Sequence, residues 1–490
     1  MRRRLTRVAL ALVTLLGLVA AYYVGLYFYA DRAIDRVDAL VVDGPEVLAP
    51  QLQEAAQTYL VVGTGLPGRT GASAVSTLIA HVSAGGQQAV LVTVPPTALS
   101  DTPTCRDGDG DLRPAVTEAF AGALLDGGPS CLVRSVQQLT GLRVDHYLAL
   151  DLGRLPAMVD ALGDVSVCVP DAATSAGSER ALPAGDNQLS GADVAAFLRP
   201  GGIGSDVTGS GAAAREQLVL TSTLRTALAG GTLADPLTLT RFLSRAAGAF
   251  TVDADTTLGD VRTLGATLGD LSGDAVERAE VPVSRVGYLP PGSDQAAVVV
   301  DATATRELFD AVIDGGRLPV AVPETPAPED PATTPAPDVS TAPAPDAGAG
   351  AADALPAPGS TDPVPDGTLV TVAPAGVTVD VLDASGAGRT TEVADALAAA
   401  GFRTGVRGVE PAAVDRTVVR YGEAALEPAR TVAAAVPGAV LLPTEAVGNA
   451  VQLVVGPDYT GLVPVDVGTP VPTTAAPAPV DEGTRAAACS

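Results

Sequence analysis

The chain has no tryptophan, 3 % aromatic residues and two histidines in 490 positions. His81 and His146 have no nucleophile paired with them, which leaves a nucleophile–histidine centre little to be built from. For both, a packed structural role is favoured. Basic residues are scarce as well, 30 against 56 acidic ones, giving a formal net charge of −26. That disfavours nucleic acid as a partner, because gripping phosphate backbones needs a basic surface. There are four cysteines, and no pair has the spacing of a zinc site. Alanine, glycine and valine are abundant instead, and the bias to arginine over lysine reads as a coding habit. At this length two or more folded units are expected.

The N-terminus carries Arg2, Arg3, Arg4 and Arg7 ahead of an uncharged run over 8–30. The run is long enough to cross a hydrocarbon core of roughly 30 Å, and its basic flank belongs in the cytoplasm. Tyr22, Tyr23, Tyr27 and Tyr29 gather at the outer end as an interfacial belt would. A cleaved signal peptide is the other reading. The run exceeds a usual signal core and no clean small-x-small site follows, so a retained anchor is favoured. The expectation is a single-pass cell-membrane protein: residues 1–7 a cytoplasmic basic tail, 8–30 the transmembrane helix, and everything after Asp31 extracytoplasmic.

The first extracellular domain is expected over 45–322. Residues 59–63, 76–82 and 89–94 are short apolar runs that read as buried strands. Helices are expected near 115–125, 131–139, 191–198 and 212–228, late strands over 285–301 and a closing helix over 302–314. Residues 139–170 read as strand, helix, strand. Asp151 is a candidate N-cap, Pro156 lies near the helix start, Gly163 stops the helix, and Val165, Val167 and Val169 alternate. The fold class is α/β: an α/β/α layered mixed sheet, a small C-terminal α/β domain, and one transmembrane helix in front. Residues 323–367, dense in proline, alanine, aspartate and threonine, read as an extended, disordered linker that lets the last domain range. That domain is expected over 368–465, and the tail 471–490 reads as disordered.

A resemblance sits on these elements. Leu139-Thr-Gly-Leu-Arg-Val-Asp-His-Tyr147, then Val159-Asp-Ala-Leu-Gly163, then Val167-Cys-Val-Pro170 resemble the centre of the LytR-CpsA-Psr family. The second domain, with Val377-Thr-Val-Asp-Val-Leu-Asp-Ala384, resembles the small C-terminal domain often appended to that family. The resemblance implies a membrane-anchored cell-envelope protein that attaches polyprenyl-phosphate-linked glycans to peptidoglycan. It also implies an elongated apolar pocket for the polyprenyl tail.

In the family, arginines hold the diphosphate, since guanidinium forks match its oxygens, and an acidic residue helps place a divalent metal. Carried onto this chain, the phosphate-binding set is Arg199, Arg215, Asp206 and Gln217. The charged pattern is incomplete. Ser76 stands where the metal-placing carboxylate is expected, Pro96 and Thr97 where an arginine and an acid are, Gly201 for a second arginine after Arg199, and Ala212 for another. The resemblance therefore implies weakened or lost catalysis, with magnesium or manganese required where activity remains. The alternative is an active glycopolymer phosphotransferase with a divergent site. Arg69 and Arg113 could supply charge, although nothing in the sequence places them.

In an exported compartment disulfides persist, and Cys105 with Cys131, flanking one expected helix, is the preferred pair. Cys168 sits in a strand pattern, as a buried small residue or a second disulfide partner, and Cys489 reads as free or intermolecular. Asp107, Asp109, Asp111 and Glu118 have calcium-loop spacing, but Leu112 fills the position that needs glycine, so an acidic turn is favoured. Gly63-Thr-Gly-Leu-Pro-Gly68 lacks the Gly-Lys-Ser/Thr of a nucleotide loop and reads as a tight turn.

Overall fold

The computed structural model describes residues 2–41, 44–170, 174, 177–201, 206–257, 259–260, 263, 275–319, 369–412 and 414–471. The segment read as a linker, the C-terminal tail and Cys489 lie outside them. Helix α1, Arg2–Arg32, contains a stretch, Ala9–Arg32, long and apolar enough to cross a membrane.

The first domain is built on a seven-stranded sheet. In chain order its strands are β1 Asp35–Val37, β2 Gln57–Thr64, β3 Ser76–Val82, β4 Ala89–Thr93, β5 His146–Asp151, β6 Phe250–Asp253 and β7 Val276–Glu280. Their order across the sheet is β1-β6-β5-β2-β3-β4-β7. The sheet is mixed: β2 runs parallel to β5 and antiparallel to β3. Alternation sends successive side chains to opposite faces. Leu60, Val62 and Ile79 enter one core with helices α2 Gly128–Thr140 and a late closing helix, while Tyr59, Ala80 and Leu91 pack on the other face. Each fully buried aliphatic chain there contributes about 1.5–3 kcal/mol. A further apolar layer gathers α3 Leu155–Leu162, α4 Gly191–Leu198, α5 Ser210–Leu228 and α6 Pro236–Ala246 around Leu150, Leu152 and Val167. The closing helix is α7, Ala302–Gly315, with Asp301 accepting hydrogen bonds from the amides of Thr303 and Ala304.

Several expectations are corrected. The helix expected over 115–125 is a strand, Val116–Ala119, paired antiparallel with Leu99–Thr102, followed by one helical turn, Gly122–Leu125. β-Branched Val116 and Thr117 suit a strand, and the pairing partner is remote enough to escape a local pattern. Val165–Val169 leaves the main sheet and pairs with Gly185–Leu189 in a separate two-stranded one. Asp35–Val37 joins the main sheet ahead of residue 45, where the domain was expected to begin. Cys105 and Cys131 form a disulfide with Cα atoms 5.1 Å apart, tying a small hairpin to α2. Cys168 is disulfide-bonded as well.

The first domain also has a hairpin beside its main sheet, β8 Val283–Tyr288 with β9 Ala297–Val300. The second domain has five strands. Then come β10 Thr378–Asp383, helix α8 Thr390–Ala399, β11 Arg403–Val409, β12 Val418–Tyr421, helix α9 Leu426–Ala435, β13 Val440–Pro443 and β14 Val451–Val455, ordered β11-β10-β14-β12-β13. Its core joins Val379, Val381, Leu397, Val432 and Leu453. The domain does not stand off from the first. The Ala296 amide donates to the Val409 carbonyl at 2.7 Å, and the Val409 amide to Asp294 at 2.6 Å. Gln452 donates to the Val286 carbonyl at 3.3 Å, beside Gly287, where a Cβ would come within 2.6 Å of that side chain. Val447 packs with Val286, Val298 and Val207. The freely ranging last domain expected from composition is thus corrected to one docked on the β8–β9 hairpin.

Candidate functional site

The loop leaving β2 turns back on itself. Gly65 and Gly68 have φ of 67° and 74°, the left-handed region that favours glycine, and the Arg69 amide donates to Leu66 at 3.1 Å. The turn delivers Arg69, one of the charges the sequence could not place, to the start of α5. There its Nη2 donates to Asp206 Oδ2 at 3.0 Å, and the Arg69 side chain is only 1 % exposed. The Asp206 carboxylate also accepts from the amides of Gly211, at 3.2 Å, and Ala212, at 2.8 Å. It therefore neutralises the helix start as well as one arginine.

Arg215, one turn further along α5, is buried in the same cluster. Gly211 lies close against it, since a Cβ there would come within 3.3 Å of its Nη1. Burial lowers its pKa; Asp206 works against that and Arg69 with it. Asp206 thus pairs directly with Arg69 and acts on Arg215 through its charge. Arg69 Nε, Arg215 Nε and Arg215 Nη2 are buried with no hydrogen-bond partner among the described residues. Each such orphan costs about 1–3 kcal/mol. An anion with several oxygens would satisfy them and the surplus charge together.

Beneath the cluster lies a second group. Gly63 on β2 is paired in register with Ser76 on β3, and the Ser76 hydroxyl donates to the carboxyl of Glu216 on α5. A Cβ on Gly63 would come within 2.4 Å of Glu216 Oε1. The glycine read as part of a plain turn is therefore where helix and sheet meet closely. Burial pushes the Glu216 pKa up to about 7, with the Ser76 bond pulling the other way. So a carboxyl does stand beside Ser76, contributed by the helix and not by the strand. The sequence reading missed it, and the glycine at 63 was the available signal.

These residues do not suit a resident magnesium or manganese ion. Such ions want several ionised oxygens in octahedral array. Asp206 is already bound to Arg69 and two amides, and Glu216 favours its neutral form. Glu280, at the end of β7, is raised by burial and held by Ser210. No group of three metal-ligating side chains occurs among the described residues.

The other sequence candidates are dispersed. Arg199 caps α4 and lays its stem on Gly68, but its guanidinium pairs at the surface with Glu179. Gln217 is half-buried on α5 and makes no hydrogen bond to the cluster among those described. Arg113 is spent on Glu118, at 2.6 and 2.8 Å. Asp107 accepts from the amides of Asp109 and Asp111 within a turn. His146 stacks on Tyr59 with ring centres 4.5 Å apart and bonds Thr256, while His81 is buried against Thr58. Cavities of about 540 Å³, lined by Glu46, Asp101 and Arg134, and of about 550 Å³, lined by Glu54, Asp145 and His146, lie away from the arginines. Neither is the elongated apolar pocket that was expected. The apolar layer beside α5 includes the buried side chains of Leu155, Met158 and Phe197.

Residues 30–308, more than half of the chain, match the model of the LytR-CpsA-Psr family. Residues 376–459 match that described as LytR cell envelope-related transcriptional attenuator. The chain is similar to the probable cell wall biosynthesis protein LcpB of Corynebacterium glutamicum, 28 % identical over 259 residues, covering 49 % of this chain and 56 % of the relative. It is also similar to the cell wall biosynthesis protein LcpA of the same organism, 26 % identical over 210 residues, covering 42 % of this chain and 37 % of that protein. The matches thus span about half, or less, of those relatives' length. Among solved structures it is similar to a LytR-Csp2A-Psr enzyme from Actinomyces oris, with 22 % identity, TM-score 0.35, 56 % of this chain and 94 % of that one. Another is TagT bound to LI-WTA, with 16 % identity, TM-score 0.40, 58 % and 99 %.

Proposed function

Since the chain belongs to the LytR-CpsA-Psr family, we propose that it is a membrane-anchored cell-envelope assembly protein. Its first domain grips the (di)phosphate of a polyprenyl-linked glycopolymer destined for peptidoglycan. The observation that carries this reading is the pair of buried arginines, Arg69 and Arg215, beside the single carboxylate Asp206, with three guanidinium nitrogens lacking a hydrogen-bond partner among the described residues. Two relatives are described as cell wall biosynthesis proteins, which supports the same process. Turnover is weak, because Ser76, Pro96 and Ala212 replace charged groups that would stabilise the phosphoryl transition state, each such contact being worth about 3 kcal/mol. The α1 helix holds the chain in the membrane with its domains outside.

Glu216 favours a second reading, the active transferase with a divergent site, because it supplies a carboxyl beside Ser76. Two measurements separate them. Titration calorimetry on the full chain in detergent should detect inorganic pyrophosphate binding that Arg69→Met and Arg215→Met each weaken by about tenfold or more. Unchanged affinity in both variants would overturn the site. A lipid-diphosphate assay with magnesium or manganese should give little product; robust turnover abolished by Glu216→Gln and Arg215→Ala would establish the transferase instead.

A further inference from the structure

We propose that the helical corner over 228–245 rests in the outer leaflet of the membrane, giving the first domain a lipid contact besides its anchor. The inference rests on the membrane-anchor part of the reading above and adds a surface to it.

The corner is joined to the anchor helix by three hydrogen bonds. The Tyr22 hydroxyl donates to the Pro236 carbonyl at 2.9 Å and lies 2.6 Å from Thr240 Oγ1. The Tyr23 hydroxyl donates to the Leu233 carbonyl at 2.7 Å. Tyr22 is well inside the apolar span. It lies ten residues, or about 15 Å, before the helix end at Arg32. A hydrocarbon core of about 30 Å that begins at Ala9 reaches to about Tyr29. The groups bonded to Tyr22 and Tyr23 are therefore at the depth of the outer leaflet.

The side chains of the corner agree. Leu237 is 73 % exposed, Leu228 51 % and Leu233 40 %, each without a protein cover. Charge is complementary too. Between residues 225 and 245 the chain has Arg225, Arg241 and Arg245 against a single acid, Asp235, in a protein of net charge −26. Asp235 is occupied capping α6, where it accepts from the Leu237 amide and the Thr238 hydroxyl. Apolar residues at the surface with arginines beside them suit a bilayer interface with anionic headgroups. Helix α5 connects this corner to the arginine cluster. It begins at Ser210 and ends at Leu228, 19 residues or about 28 Å by helical rise. Seating the corner in lipid would fix the height of the phosphate site above the membrane.

The absence of tryptophan makes the test direct. Leu237→Trp or Leu233→Trp places the chain's sole tryptophan at the corner. Each full-length variant is reconstituted in vesicles of phosphatidylcholine and phosphatidylglycerol, with and without brominated acyl chains. Leu16→Trp, within the span, serves as the lipid reference, and Leu112→Trp, 69 % exposed on a distant hairpin, as the aqueous one. Both corner variants should be blue-shifted and lose most of their emission to brominated lipid, as Leu16→Trp does. Emission as red and unquenched as that of Leu112→Trp overturns the proposal while leaving the anchor intact. Blue-shifted but unquenched emission assigns the corner to a protein partner and overturns it as well. An unquenched Leu16→Trp removes the anchor and the proposal together.

Discussion

The two folded domains each bury an arginine beside a carboxylate, with different results. In the second domain Arg420 pairs with Glu410 at 2.6 Å, exposed by 0 % and 3 %, and Glu410 also accepts from the Ala412 amide. In the first, Asp206 pairs with Arg69 and also has to offset the charge of buried Arg215. A balanced pair is a structural device that holds β12 in place. An unbalanced one leaves positive charge wanting an acceptor, which makes it the candidate site. Burial alone does not separate the two; counting the charges does.

Replacing arginine in each cluster should break the comparison most sharply. Arg420→Met strands Glu410 as a buried, unpaired charge and should destabilise the second domain by about 3–5 kcal/mol. Arg215→Met leaves Asp206 with Arg69, so its cost should be smaller, and its main effect should fall on pyrophosphate affinity. Chemical denaturation with a separate probe in each domain measures both. Equal destabilisation would erase the distinction between structural pair and site.

The next effect concerns Glu216. Its folded pKa of about 7 exceeds the unfolded value of 4.5, so the folded state binds more protons across that interval. The associated stability is fully present below pH 4.5 and is lost as pH rises through 7, by about 3 kcal/mol at most. Glu216→Gln should remove that loss, leaving the variant the more stable form above pH 7 and nearly equal to the parent at pH 4.5. His81 acts in the opposite direction: burial lowers its pKa from 6.5 to about 4, so its contribution is present above pH 6.5 and lost on acidification through 4. Stability curves from pH 4 to 8 for the parent and Glu216→Gln would expose both slopes. A variant that follows the parent at every pH would show that Glu216 ionises freely.

The smallest change should come from Arg199. Its pair with Glu179 is exposed on both sides, 41 % and 49 %. Arg199→Ala should cost under about 1 kcal/mol of stability and reduce pyrophosphate affinity less than Arg69→Met does. A larger loss than at Arg69 would move the centre of the site toward α4.

Much of the scaffold was legible in the chain. Gly191–Leu198 and Val165–Val169 occur as their periodicity indicates, because caps such as Ser190 and glycine stops act over a few residues. Of the candidate cluster, Arg215 and Asp206 were named from the family pattern. Arg69 did not, because 137 residues separate it from Asp206.

What the sequence by itself determined is therefore whatever depends on neighbours along the chain. That comprises the apolar N-terminal run, most helices and strands, the two-domain division and the family motif. Tertiary structure decided the remainder. It turned 116–119 into a strand by supplying a partner at 99–102, set the second domain on the β8–β9 hairpin, and brought Glu216 to Ser76 across 140 positions. These outcomes share one physical cause. Strand pairing, domain docking and buried charge are settled by which remote groups exclude water from one another, and no local window of sequence contains both partners.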